Sequence, residues 1–221
     1  MARAKLAVLV SGRGSNLGSL IRASKSGELP ADITLVISNR PKAKALNLAK
    51  DNGIETFVLD HKSFPNGDEG RVEFDQTVTA HLVEAKIDFV CLAGFMRILT
   101  SEFVSKWRGK LVNIHPSLLP SFKGLNVHAR IIDAGVKIAG CTVHFVSNEM
   151  DSGPIIGQSA IPVLPSDTED TIAARILEQE HKLYPACMRM LVEGKARLTT
   201  GNRVALSLDN DFTPKAVAMP E

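Results

Sequence analysis

Short runs of apolar residues alternate along the chain with amphipathic stretches. The apolar runs predict strands, because each is short, rich in β-branched residues and closed by glycine or polar residues. The amphipathic stretches predict helices, because their apolar residues recur at helical spacing. The predicted strands lie at 5–10, 33–38, 55–60, 88–94 and 110–115, and the predicted helices at 15–27, 42–53, 71–86 and 101–107.

Strands that alternate with helices predict crossover connections and a mostly parallel sheet. The alternation stops where two apolar runs, at 138–146 and 153–163, follow each other without a helix between them. A long helix over 167–194 comes next, with aspartate or threonine as its N-cap. We therefore expect an α/β, Rossmann-like fold. Its mostly parallel twisted sheet would have helices on both faces and antiparallel edge strands near 138–163.

Composition and charge narrow the class of protein. The 221 residues contain no repeat and no linker, so we expect a single domain over 1–221, with a flexible tail from about residue 200. The net charge is +2 and the charges are scattered, which disfavours nucleic acid and membrane surfaces as partners. No apolar run has the roughly 18 residues of a membrane span. Three widely spaced cysteines favour a reducing compartment, so we expect a cytoplasmic protein, and no cluster has metal-ligand spacing.

The first candidate site is the sequence SGRGSNL at 11–17, between the first predicted strand and the first helix. Glycines at 12 and 14 allow a tight turn whose amides and helix N-terminus can face an anion. The segment lacks the third glycine of the dinucleotide fingerprint, because Leu17 stands there. These features predict a monophosphate site, and the alternative is an ordinary N-cap turn.

The second candidate is AGFMRIL at 93–99, which follows a predicted strand. Its apolar residues surround Arg97. Taken alone, the segment is typical of core residues that cover the start of a helix. Beside a catalytic site, it would suit an apolar slot for a flat heterocycle.

The third candidate is NIH at 113–115, at the end of the fifth predicted strand. Asn113 and His115 are two residues apart, so they share one face of that strand. An amide donor beside an imidazole suits acyl transfer, because one group stabilises an oxyanion while the other moves protons. Asp151, in a turn between the two edge strands, is the candidate carboxylate partner. Among the other histidines we single out His144, which lies near that aspartate.

Six segments, in this order, resemble the phosphoribosylglycinamide formyltransferases, also called glycinamide ribonucleotide transformylases: SGRGSNL, LAGFMRIL, NIHPSLLP, VHFV, MDSGPI and QEHKLYP. They cover the chain from residue 6 to about 194. The segment NIHPSLLP and the later aspartate are shared with other formyltetrahydrofolate enzymes. SGRGSNL narrows the resemblance to this family.

The resemblance implies a role for each matched residue. The implied catalytic residues are Asn113, His115 and Asp151. The implied contacts of the ribonucleotide phosphate and ribose are Gly14, Ser15, Asn16 and Glu180. The implied folate-binding residues are Arg71, Met96, Arg97, Ile98, Leu99 and Asn113. The loop 116–124 would close over the reacting groups.

Two positions depart from the family pattern, and both lie outside the implied catalytic set. Asn148 stands where an acidic residue is usual, and Leu177 stands where some members have a polar or basic residue near the phosphate. The region after residue 195 matches weakly.

The resemblance also implies the reaction. The amine of 5-phosphoribosylglycinamide would attack the formyl carbon of 10-formyltetrahydrofolate, the co-substrate, and form a tetrahedral oxyanion. Asn113 and protonated His115 would donate hydrogen bonds to that oxygen, and His115 would protonate the leaving folate nitrogen. Asp151 would favour the imidazolium. The implied products are formylglycinamide ribonucleotide and tetrahydrofolate in de novo purine biosynthesis, made by a monomer or homodimer without a metal.

Several other functions compete with this one. A formyltetrahydrofolate deformylase and a methionyl-tRNA formyltransferase share the NIHPSLLP segment, but each would be expected to carry a further domain, which we do not expect here. A nucleotide-binding oxidoreductase is disfavoured by the missing third glycine and by SNR at the end of the second strand. A ligand-binding module without activity would require the NIH segment and Asp151 to be coincidental.

Overall fold

The computed structural model describes residues 3–207 and contains one seven-stranded sheet in the order β3-β2-β1-β4-β5-β6-β7, with a separate hairpin of β8 and β9. The pairs among β1 to β5 are parallel, whereas β6 is antiparallel to both β5 and β7. The predicted α/β fold with an antiparallel edge is therefore confirmed. The strands are β1 Ala4–Val10, β2 Ala31–Ser38, β3 Glu55–Val58, β4 Phe89–Ala93, β5 Leu111–His115, β6 Ile138–Phe145, β7 Ile155–Pro162, β8 Ala196–Leu198 and β9 Val204–Leu206.

Six α-helices and one short 3-10 helix connect the described strands. The helices are α1 Ser15–Ser26, α2 Lys44–Asp51, α3 Asp68–Glu84, α4 Ser101–Lys106, α5 Val127–Asp133 and α6 Glu169–Val192, and the 3-10 helix is His61–Ser63. The hydroxyl of Thr168 caps α6 by accepting the N–H of Thr171, as the predicted threonine cap requires. The third strand ends at Val58 rather than at 60, because the chain turns there into the 3-10 helix.

The alternation of side chains along β1 divides the core into two layers. Leu6, Val8 and Val10 point to the face covered by α1, α2 and α6, whereas Ala7 and Leu9 point to the face covered by α3 and α4. Apolar residues on both faces are what a parallel sheet between two helical layers requires. The predicted placement of helices on both faces is confirmed.

Helix α6 is anchored directly to the centre of the sheet. The hydroxyl of Tyr184, which is fully buried, lies 3.1 Å from the carbonyl of Leu92 on β4 and 3.0 Å from that of Val112 on β5. Glu180 lies one turn earlier on the same helix face, because residues four apart are neighbours on a helix. This anchor fixes the position of Glu180 relative to the ends of the strands.

The C-terminal region is described as far as Ser207 and contains the antiparallel hairpin of β8 and β9. Residues 208–221, which contain most of the predicted flexible tail, lie outside the described part of the chain. Among residues 3–207, no helix has the length and apolar character needed to cross a membrane.

Candidate active site

The three segments singled out in the sequence meet at one edge of the sheet. Strands β1, β4 and β5 are parallel neighbours, so the segments that follow them, beginning at residues 11, 94 and 116, leave the sheet together. In the sheet, β2 and β3 lie on one side of β1, whereas β4 to β7 lie on the other side. The crevice between β1 and β4 is therefore a topological switch point, where open α/β sheets bind ligands.

Strand β5 carries Asn113 and His115 to this edge, and its pairing with β6 adds two more polar residues. Asn113 lies opposite His144, and His115 lies opposite Thr142. Because the side chains of opposed residues point to the same face, all four lie on one face of the sheet. The amide Nδ2 of Asn113 is 3.3 Å from Nε2 of His144.

Asp151 lies within reach of both imidazoles. Its Oδ2 is 3.4 Å from Nδ1 of His115, and its Oδ1 is 3.9 Å from Nε2 of His144. The side chain is 11% exposed, and its Oδ2 also accepts the N–H of Gly124 at 2.9 Å. The turn between β6 and β7 places it there with a φ of 50°. The structure thus brings together the three residues expected to form the catalytic set.

The environment of His144 fixes its protonation state. Burial lowers the pKa of His144, so the ring is neutral at pH 7. Its Nδ1–H donates to the carbonyl of Phe145 at 2.9 Å, which leaves a lone pair on Nε2. That lone pair accepts a hydrogen bond from Asn113, whose amide nitrogen carries a second N–H. His144 therefore orients the amide of Asn113.

The loop 116–124 folds back onto His115. The Nε2–H of His115 donates to the carbonyl of Phe122 at 2.9 Å, while Nδ1 faces Asp151. Two acceptors on opposite sides of the ring suit an imidazolium, in which both nitrogens donate. A substrate oxygen that takes a hydrogen bond from Nε2 has to replace the Phe122 carbonyl.

Thr142 anchors the start of this loop to β6. Its hydroxyl donates to the carbonyl of Ser117 at 2.6 Å and accepts the N–H of Leu119 at 3.0 Å. Gln158 on β7 donates to the same hydroxyl at 3.0 Å and to the carbonyl of Leu119 at 2.9 Å. These bonds hold the chain immediately after His115 against the edge strands.

The glycine-rich turn and helix α6 form the next part of the site. Gly14 has a φ of 83°, and a Cβ there would lie 2.7 Å from the Cβ of Ala45, so only glycine fits. The Nδ2 of Asn16 donates to Oε2 of Glu180 at 2.6 Å, and burial raises the pKa of Glu180. Ser15 is exposed at the first position of α1. The residues expected to contact phosphate and ribose therefore lie next to each other.

The segment 94–100 presents its side chains in alternation. Met96 and Ile98 are each 58% exposed, whereas Leu99 packs with the core beneath α3 and α4. Arg97 points inward: its guanidinium carbon is 4.3 Å from the centroid of the Phe74 ring. The two exposed apolar side chains are available to a ligand, whereas Arg97 connects the segment to α3.

Arg71 lies in the first turn of α3 and is paired with Asp68. Burial lowers the pKa of Arg97, and the charge of Arg71 acts in the same direction, so the two guanidinium groups are close enough to influence each other. A negatively charged ligand group at this place would relieve that repulsion. Within residues 3–207, no group of three or more histidine, cysteine, aspartate or glutamate side chains is arranged to hold a metal ion.

Comparison with known proteins decides the family. The family model described as formyl transferase matches residues 4–188. This chain belongs to the formyl transferase family. A phosphoribosylglycinamide formyltransferase of Haemophilus influenzae is 43% identical over 194 residues, which are 88% of this chain and 90% of that protein. The chain is also similar to the crystal structure of phosphoribosylglycinamide formyltransferase from Anaplasma phagocytophilum, with 44% sequence identity and a TM-score of 0.85. The match covers 95% of this chain and 97% of that one.

Some relatives are much longer. The trifunctional purine biosynthetic protein adenosine-3 of Gallus gallus is 46% identical over 202 residues, which are 91% of this chain and 20% of that protein. This formyl transferase thus spans about a fifth of that relative's length. The family membership expected from the sequence segments is confirmed.

The roles of two residues of the site, Thr142 and His144, could not be identified from sequence patterns alone. Thr142 lies within an apolar run, and only the pairing of β5 with β6 shows that it faces His115. His144 stood out in the sequence, but its role in orienting Asn113 depends on the same register. The sequence does indicate that Thr142 and His144 share a face of the edge strand, because they are two residues apart.

Proposed function

We propose that this formyl transferase moves the formyl group of 10-formyltetrahydrofolate to the amine of 5-phosphoribosylglycinamide. The products would be formylglycinamide ribonucleotide and tetrahydrofolate, in de novo purine biosynthesis. The observation that carries the proposal is the placement of Asn113 and His115 on one strand face, with Asp151 3.4 Å from the imidazole. The printed names of the relatives that match over most of their length support the same reaction.

In the proposed mechanism, the substrate amine attacks the formyl carbon and a tetrahedral oxyanion forms. The second N–H of Asn113 and the Nε2–H of His115 donate to that oxygen, which stabilises its developing charge. The bond from carbon to the folate nitrogen then breaks as that nitrogen takes a proton from His115. The imidazole, now neutral, accepts the proton that the attacking nitrogen releases. Asp151 stabilises the imidazolium before the first transfer and after the second.

The proposed ligand contacts follow from the neighbourhood of each segment. The phosphate would lie on the turn of Gly14, Ser15 and Asn16, where backbone amides and the start of α1 favour an anion. Glu180, next to Asn16, would take the ribose hydroxyls. The apolar surface of Met96 and Ile98 would line the folate slot, with Leu99 beneath it.

The two arginines complete the proposed folate site. Arg71 would contact a carboxylate of the folate, and Arg97 would support the slot from below. The two residues would thus have different roles in the proposed site, although both were expected to bind folate.

The proposal extends to the setting of the protein. Three buried free cysteines, Cys91, Cys141 and Cys187, suit a reducing compartment, so we propose the cytoplasm. The expected single domain over 1–221 and the expected monomer or homodimer stay predictions. The proposed partners are small-molecule substrates.

The test is an assay of tetrahydrofolate formation from 10-formyltetrahydrofolate, with and without 5-phosphoribosylglycinamide. We expect turnover only when the acceptor is present. The variants His115→Ala and Asp151→Ala should lose most of the turnover while tetrahydrofolate still binds. Formyl loss that does not depend on the acceptor would favour a deformylase, and a near-normal rate for either variant would overturn the catalytic assignment.

A further inference from the structure

The segment 94–100 is held in place by two buried side chains that lie outside it. At its start, the N–H of Met96 donates to the hydroxyl of Ser11 at 2.7 Å. At its end, the N–H of Thr100 donates to Oδ2 of Asp75 at 2.6 Å. Ser11 and Asp75 are each only 3% exposed. The residues between these anchors are the ones that form the proposed folate slot.

The anchor at Ser11 is fully satisfied. Its hydroxyl accepts from Met96 and donates to Oδ1 of Asn39 at 2.6 Å, and its N–H donates to the carbonyl of Gly94 at 3.2 Å. Asn39 is buried as well. The first half of the segment is therefore fixed by neutral hydrogen bonds to the ends of β1 and β2.

The anchor at Asp75 differs, because it is an ionisable carboxyl and is only partly satisfied. Its Oδ1 is buried without a hydrogen-bond partner, and so is Nε of Arg97. Burial raises the pKa of the Asp75 carboxyl, whereas its hydrogen bonds with Thr100 and the positive charge of Arg97 favour the ionised form. A second arginine, Arg71, acts on Asp75 in the same direction.

Arg97 is held on the inner side of the segment by three interactions. Its guanidinium lies over the ring of Phe74, and its Nη2 donates to the carbonyl of Gly70 at 3.2 Å. The third is the attraction of Asp75. Burial alternates along this irregular segment, so that Met96 and Ile98, on either side of the inward Arg97, face outward. Both are 58% exposed, as this arrangement requires.

We propose that Asp75 is a positioning residue for the folate slot: it fixes the backbone of Thr100 and draws Arg97 inward, so that Met96 and Ile98 face the ligand. This inference rests on the proposed function. Asp75 lies on α3, is buried and bonds to the backbone of Thr100, so we assign it no contact with a reacting atom. A carboxylate costs more to bury than an amide of the same shape, and the positioning role accounts for its presence here.

The variant Asp75→Asn tests the charge, because asparagine keeps the shape and one oxygen that accepts the Thr100 N–H. We expect its KM for 10-formyltetrahydrofolate to rise by about tenfold, because the charge-assisted hydrogen bond from Thr100 becomes a weaker neutral one and the attraction of Arg97 is lost. Its kcat and its KM for 5-phosphoribosylglycinamide should stay within about twofold of wild type, because neither the proposed catalytic residues nor the proposed contacts of 5-phosphoribosylglycinamide lie on this segment. Asp75→Ala removes the acceptor as well and should raise the folate KM further. If that variant does not fold, Asp75→Asn decides.

Asp167→Asn is the matched control. The Asp167 side chain is also 3% exposed; its Oδ2 accepts the N–H of Leu164 at 2.8 Å and pairs with Arg175 at 2.5 Å. It lies in the turn between β7 and α6, away from the segment 94–100. This variant should lower the melting temperature as Asp75→Asn does, with the folate KM unchanged.

The outcomes separate the two proposals. A wild-type protein that transfers no formyl group overturns the proposed function. If the wild-type protein transfers the formyl group and Asp75→Asn loses thermal stability while keeping the wild-type folate KM, the positioning role is overturned and the proposed function stands. A folate KM that rises equally in Asp75→Asn and Asp167→Asn also overturns the positioning role.

Discussion

Replacing Asp151 by asparagine tests how much its charge contributes to the reaction. Asparagine has nearly the same shape and still offers an oxygen to the N–H of Gly124, so the loop keeps this anchor while the charge is lost. The imidazole of His115 then lacks the carboxylate that stabilises its protonated form. The expected change is therefore in kcat rather than in substrate binding.

The magnitude follows from the distance between the two groups. At 3.4 Å and an effective dielectric constant of about 20, a unit charge pair interacts by about 5 kcal/mol. This is an upper value, because the carboxylate is 11% exposed and water replaces part of the lost interaction. At about 1.4 kcal/mol for each tenfold change in rate, we expect kcat to fall by about 10²-fold to 10³-fold.

The assay is the initial rate of tetrahydrofolate formation at saturating concentrations of both substrates, with tetrahydrofolate affinity measured by calorimetry. Glu149→Gln is the control in the same turn, because the Glu149 side chain is exposed and pairs with Lys123 at the surface. That variant should keep its rate within about twofold. An Asp151→Asn protein that retains a third or more of the wild-type kcat would refute the electrostatic argument.

Three further predictions concern the rest of the site. Gly14→Ala should destabilise the protein by about 1–3 kcal/mol in thermal or denaturant unfolding, because residue 14 has a φ of 83° and its new Cβ would lie 2.7 Å from the Cβ of Ala45. The same variant should raise the KM for the phosphorylated substrate. Thr142→Val should cost about 1–3 kcal/mol of unfolding free energy and lower kcat by about tenfold, since Leu119 and Ser117 lose their partner; unchanged kinetics would contradict the anchoring role. Burial lowers the pKa of His144 below its unfolded value of about 6.5, so as the pH falls the unfolded chain takes up a proton on this imidazole before the folded protein does, and stability should decline below about pH 6.5. His144→Gln should make this decline shallower when denaturant unfolding is measured at several pH values. An unchanged dependence of stability on pH would contradict this.

The sheet and its order of elements could be predicted because the signals are local. Continuous apolar runs such as that of β1 are typical of strands covered on both faces, and their ends carry glycine or polar residues. The antiparallel edge followed from the missing helix between β6 and β7. Asn113 and His115 were identified by their spacing, because a strand with period two places them on one face.

Helix α5 was not predicted, and its sequence explains why. The helix has only seven residues, and its buried residues are a single pair, Val127 and Ile131, at positions i and i+4. Its N-cap, Asn126, adopts a left-handed conformation with a φ of 53°, and its side chain makes no capping hydrogen bond. Packing against α6 and the edge strands stabilises this helix, and that contact is not local in the sequence.

Contacts between distant segments were the other feature beyond reach of the sequence. The distance from Asp151 to His115, the bond from His144 to Asn113 and the inward direction of Arg97 all depend on how strands and helices pack. The sequence indicated which residues are chemically suited to a site. The register of β5 with β6 and the packing of α3 decide what each one touches.

The central claim is that Asn113, His115 and Asp151 transfer a formyl group directly between two substrates. The most direct test follows an isotope-labelled formyl group from 10-formyltetrahydrofolate in a single turnover with 5-phosphoribosylglycinamide. We expect the label on the amine of the product in the wild-type reaction, and a transfer rate lower by at least about 10²-fold in His115→Ala. Label released as formate with the acceptor present, or transferred by His115→Ala at the wild-type rate, would contradict the account.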